Sequence, residues 1–139
     1  MEVKMFSKST NKLSVVITFL LIMFILPLNI AAQEIIEIQV SPHVLNLQNQ
    51  GEVVTIHTDI SYGSVLASSV SLNGVTINSW KADDQGNFVA KFLMSAIKNL
   101  PLNIGGYNTM TLTGNKVTGE TFTGSEDILV VKNIPNGGK

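Results

Sequence analysis

From Glu34 to Val131 the chain is built of short apolar–polar alternations, each closed by a turn signal within about 8–12 residues. A side chain that returns to the same side at every second residue is a strand with one wet face and one dry face. No stretch long enough for a substantial helix shows a 3.6-residue period. The pattern therefore confines the fold to two packed sheets or a small closed barrel.

The first alternation, Glu34 to Val40, sets Ile36, Ile38 and Val40 against Glu37 and Gln39, and Ser41-Pro42 ends it. Val44 to Leu47 is a short apolar piece before the turn at Gln48–Gly51. Val53 to Ile60 turns Val54, Ile56, Thr58 and Ile60 inward. Ser61–Ser64 is a loop signal, and Ser69 to Leu72 leads into Asn73-Gly74, the pair that favours a two-residue hairpin turn. Val75 to Ile77 returns. After the polar turn Asp83–Gly86, Asn87 to Phe92 places Phe88, Ala90 and Phe92 inward and Val89 and Lys91 on the wet face. Met94 to Leu100 is one helical turn crossing between sheets, stopped by Pro101. Tyr107 to Thr113, turned by Gly114 to Gly119, a short piece around Phe122, and Ile128 to Val131 complete seven to eight strands. The expected fold is all-β, an antiparallel immunoglobulin-like sandwich, with a small barrel as the competing architecture. The expected core is Ile38, Val40, Val54, Ile56, Val70, Leu72, Phe88, Phe92, Met110, Leu112, Ile128 and Val130.

Before this domain lies a segment of different character. Lys4, Lys8 and Lys12 precede an apolar run from Leu13, which Pro27 and Asn29 break before Ala31 and Ala32. A basic start, an apolar middle and a small-residue end is the layout of a signal peptide helix. The expected division is a signal peptide at 1–32 cleaved after Ala32, a sandwich domain at 33–132 and a polar tail at 133–139. An uncleaved membrane anchor is the alternative, since the run approaches spanning length. Either way the domain faces outward, secreted, periplasmic or at the cell surface.

Composition removes several function classes. Downstream of Ala32, six lysines face nine carboxylates, a net charge of −3, and the chain has no arginine. Nucleic acid is thus not an expected partner. There is no cysteine, hence no thiolate nucleophile, no disulfide and no cysteine metal site. The membrane enters only through the N-terminal segment if it is retained.

Four stretches carry a resemblance. Ser69–Gly74, Asp84–Phe92, Met110–Gly114 and Phe122–Val130 occur in the same order and at similar spacing in β-sandwich modules of exported bacterial and archaeal surface proteins. The resemblance runs from about Ile38 to Val131. It implies an immunoglobulin-like repeat module that sits beside surface or adhesion domains. The relatives carry a more acidic Asp/Gly turn where this chain has Asp83 to Asn87.

The candidate site residues are few. Tyr62, Trp80 and Tyr107 lie outside clear strand cores, where exposed rings can stack on sugar faces; the plain alternative is that they cover the ends of the sandwich, Trp80 as a core plug. Asp83, Asp84 and Asn87 offer oxygen ligands, with Glu126 and Asp127 as distant recruits, but their spacing departs from a calcium loop and reads more simply as a hairpin turn. His57 and Asp59 share a strand face as a base and its orienter would, but His57 on an outward face and His43 on an edge loop read most simply as solvent-exposed side chains. No metal and no cofactor are expected. The expected function is a non-catalytic exported module contacting a protein or a surface polysaccharide. A carbohydrate-binding module using the aromatics is second, and a small secreted hydrolase third.

Overall fold

The computed structural model describes residues 32–133, with Ser14, Val16 and Ile17. The leader at 1–32 and the tail at 133–139 lie almost wholly outside the described residues.

The strands are β1 (Gln33–Ile35), β2 (Ile38–Ser41), β3 (Val44–Asn46), β4 (Val53–Ser61), β5 (Val65–Leu72), β6 (Val75–Thr76), β7 (Ser79–Ala82), β8 (Asn87–Leu93), β9 (Gly106–Lys116) and β10 (Thr121–Val131). One sheet runs β2-β4-β8-β7. The other runs β1-β10-β9-β5-β6, with β3 also on β10. These are the two sheets of an immunoglobulin-like sandwich, A-B-E-D against C-F-G. A five-residue helix, α1 (Met94–Lys98), carries the chain from β8 in one sheet to β9 in the other, and its Met94 and Ile97 are buried.

The strand count exceeds the expected seven to eight because the first alternation divides and Ser79–Ala82 forms a strand of its own. β1 runs parallel to β10 in one sheet, and β2 runs antiparallel to β4 in the other. Ile36 lies at the crossing and is buried with Val40. The opposite happens at the end of the chain. The pieces around Phe122 and Ile128 join into one strand of 11 residues. Gly124 breaks the alternation in sequence without breaking the strand. A Cβ there would lie 2.7 Å from the Ile36 carbonyl oxygen and 2.7 Å from Ile38 Cγ2. The crossing of β1 to β2 needs that empty space.

Gly114 was expected to begin a turn and instead lies inside β9. Its Cα partner on β10 is Phe122, whose ring fills the place of the missing side chain; a Cβ would stand 2.5 Å from Phe122 Cζ. The ring is fully buried, which the sequence pattern did not assign. The rest of the expected core is buried except Ile38, which packs half-buried against it; Leu45, Ile60, Val65 and Ile77 join. Trp80 is no plug. It sits on edge strand β7 opposite Ala90 and is 44% exposed. Val89, expected on the wet face, is buried between cross-strand neighbours His57 and Lys81.

Two local devices hold the sheets in register. Asn73 and Gly74 both have positive φ, 46° and 84°, as the expected two-residue turn requires. The Asn73 amide then acts as a further piece of strand. It accepts from Thr111 N–H at 2.7 Å and donates to the Thr109 carbonyl at 3.0 Å. In the other sheet, the β4–β8 pairing shifts between His57 and Ser61. There the buried Thr58 hydroxyl donates to the Phe88 carbonyl at 2.6 Å, a side-chain bond across the irregular part of the ladder.

Gly124→Ala is expected to destabilise the domain by about 1–3 kcal/mol through overpacking. Gly63, which has no heavy atom within 4 Å of its Cβ position, tolerates alanine with little change. Urea denaturation of both variants checks this. Equal midpoints would show that the β1–β2 crossing does not press on Gly124.

Candidate functional site

Three turns meet at one end of the sandwich: the 3₁₀ turn Tyr62–Ser64, the β7–β8 turn at 83–86 and the β9–β10 turn at 117–120. Val117 N–H donates to the Ser64 carbonyl and Tyr62 N–H to the Gly86 carbonyl, both at 2.9 Å, which ties the three together. Tyr62 is 40% exposed and lies stacked on Phe88, with ring centroids 6.1 Å apart.

Asp83 belongs to the turn itself. Its Oδ1 accepts from the N–H groups of Gln85 and Asn87 at 2.9 and 2.8 Å, and its own N–H donates to the Asn87 carbonyl. An aspartate that bonds the backbone two and four residues on is a turn-forming residue. Asp84 is exposed. Together with Glu37, His57 and Asp59 these side chains line a shallow cleft of about 600 Å³. Within it Asp59 Oδ1 accepts from the Glu37 N–H at 3.0 Å. Among the described residues no group of three or more histidine and carboxylate side chains is placed to hold a metal.

Glu126 and Asp127 do not join the acidic turn. Glu126 accepts from the Val40 N–H and lies 3.8 Å from His43 Nδ1. It thus links β10 to β2 across the two sheets. Asp127 accepts from the Thr109 hydroxyl at 2.6 Å on the outer face of the other sheet. At the N-terminal edge Lys116 pairs with Glu34 of β1 and, at 3.7 Å, with Glu120. The hydrogen bond to Glu34 is the main cause that raises the lysine above its ordinary pKa. A raised lysine pKa favours the folded state below that value, and the benefit fades only as pH climbs through the alkaline lysine range.

The three candidate aromatics do not meet. Val65 pairs with Lys116, so the Tyr62 turn lies at the C-terminal end of β9, whereas Tyr107 lies at its start. Nine residues of strand separate those ends by about 30 Å. Trp80 is on the edge of the other sheet. No single sugar ring or short oligosaccharide touches all three.

Tyr107 instead belongs to a surface that the reading of single residues passed over. On β9 the even positions Met110, Leu112 and Gly114 point inward, and Tyr107, Thr109, Thr111, Thr113 and Asn115 point out. The register sets these against Leu129, Asp127, Ser125, Thr123 and Thr121 of β10. Ser71 of β5 and Thr76 of β6 extend the Thr113 row. Hydroxyl pairs knit the rows: Thr111 with Ser125 at 2.9 Å, and Ser71 with Thr113 at 3.1 Å. At one end the row Tyr107, Leu129 and Val44 is apolar, with Tyr107 67% and Val44 48% exposed. The sequence signal was present as Thr-x-Thr-x-Thr at 109–113 and Thr-x-Thr-x-Ser at 121–125. Its meaning required knowing that β9 and β10 are neighbours in register.

Comparison of the chain with protein-family models, curated proteins and solved structures finds no match.

Because Asp83 Oδ1 already accepts from two backbone N–H groups, the 83–87 turn is not expected to gather the six to eight oxygens that calcium takes. The melting temperature is expected to be the same in chelator and in millimolar calcium. A calcium-dependent rise above ~5 °C, abolished by Asp84→Ala, would show a metal site here.

Proposed function

We propose that the chain is a non-catalytic module that works outside the cell, by contact of a flat sheet face with a protein or with cell-surface material. The observation that carries this reading is the outer face of β5, β9 and β10. It is broad, open and almost uncharged, and its side chains are locked to one another across the strands. Turnover needs a nucleophile, a base and a place for developing charge within reach of one another. The reading is supported by the cleft beside His57, where Asp59 Oδ1 accepts from the Glu37 N–H and so takes part in holding the backbone. The basic–apolar–small layout of residues 1–32 supports export. A protein or a surface polysaccharide is the partner class, with no cofactor.

The test uses fluorescently labelled chain added to intact producing cells. Retention at the cell surface is expected, and Thr111→Lys with Thr113→Lys is expected to lower it at least about tenfold, or 1.4 kcal/mol. Both positions face outward, so the melting temperature should stay within a few degrees of wild type. Absence of retention, or retention indifferent to the paired lysines, contradicts the proposal.

A further inference from the structure

Resting on that reading, we infer that the outer face of β5, β9 and β10 docks an extended, uncharged polysaccharide chain, with Tyr107 as its stacking platform. Charge is the first reason. The outward positions of β9 are Tyr107, three threonines and Asn115, and the only charged residue opposite them on β10 is Asp127. Asp127 is already held by the Thr109 hydroxyl. A strongly acidic or basic partner would meet nothing complementary here.

Hydrogen-bonding chemistry is the second. Each threonine or serine hydroxyl carries one donor and two acceptor sites, so a hydroxyl bonded to its cross-strand neighbour retains capacity outward. A sugar presents the same chemistry in return. Because Thr111–Ser125 and Ser71–Thr113 are already ordered, little side-chain freedom is lost on docking. Tyr107 adds an apolar ring with a polar tip beside Leu129 and Val44.

Composition separates a glycan from a protein partner. From Tyr107 to Asn115 the outward rows run about 27 Å along the strands, with the Tyr107 ring at one end. Protein interfaces are depleted in serine and enriched in arginine, methionine and several aromatics, unlike these hydroxyl rows. A run of hydroxyls with a ring at one end suits a chain laid along the strands.

The test is retention of the purified chain on insoluble cellulose and chitin and in gels containing neutral galactomannan or xyloglucan, with anionic polygalacturonate for comparison. Retention is expected on at least one neutral glycan and should be nearly constant from about 0.05 to 0.5 M salt, since no charge pairs are screened. Tyr107→Ala and, separately, Thr111→Lys should each weaken it at least about tenfold, while Trp80→Ala leaves it unchanged. Melting curves confirm that each variant is folded; if one is not, the other decides. Failure on every neutral glycan, retention on polygalacturonate alone, or indifference to the folded face variant overturns the inference. If the chain still binds intact cells through the Thr111 and Thr113 face while all purified neutral glycans fail, contact function stands and the glycan assignment falls.

Discussion

The pairing of β9 with β10 is the constraint on which the rest of this structure depends. Ten residue pairs run from Thr121–Asn115 to Val130–Gly106. Along that ladder the inner side supplies Met110, Leu112, Phe122, Ile128 and Val130 to the core. The outer side supplies the hydroxyl rows. A slip of one residue would exchange the two faces, burying threonines and exposing the core. Two glycines make the correct register possible and specific. Gly114 leaves room for the Phe122 ring, and Gly124 leaves room for the chain that passes from β1 to β2. Both faces therefore inherit their composition from one alignment.

The other sheet is organised around accommodation. β4 and β8 fall out of register between His57 and Ser61, where the Thr58 hydroxyl donates to the Phe88 carbonyl. The shallow cleft near Asp83 and Asp84 lies beside this irregularity, and two of its carboxylates serve the backbone: Asp83 its own turn, Asp59 the Glu37 N–H. Acidic residues gathered at a turn look like a binding site in sequence. Here the hydrogen-bond partners account for the best-placed of them. The functional proposal accordingly moves to the other sheet, where the side chains bond to each other and present a continuous surface.

The alternation of Val53–Ile60, Asn87–Phe92 and Tyr107–Thr113 was enough to read a sandwich and most of its core, because a half-buried strand shows its dry side in a period of two. Asn73-Gly74 was legible because the backbone there demands positive φ. Gly114 and Gly124 misled, since a glycine that makes space for a distant Phe122 or Ile36 looks the same in sequence as one that makes a turn. Trp80 misled because size suggests burial, whereas an edge strand can carry a large ring in the open. The outer face was the least legible feature. Thr109, Thr111 and Thr113 gain significance only from Asp127, Ser125 and Thr123 across the ladder, and register between strands is not written in either strand alone.

Amide hydrogen exchange measured residue by residue tests the central claim that the β9–β10 ladder is the rigid spine of both faces. Native amides in the most stable unit exchange only through global opening, while turns and edges exchange through local fluctuations. The account predicts that hydrogen-bonded amides from Thr109 to Thr113 and from Phe122 to Ile128 are among the slowest in the domain. It also predicts that they respond together to denaturant, with those of β6 and β7 far faster. Exchange of the β9 and β10 amides at the rate of the 83–86 turn, while β4 and β8 remain protected, would contradict it.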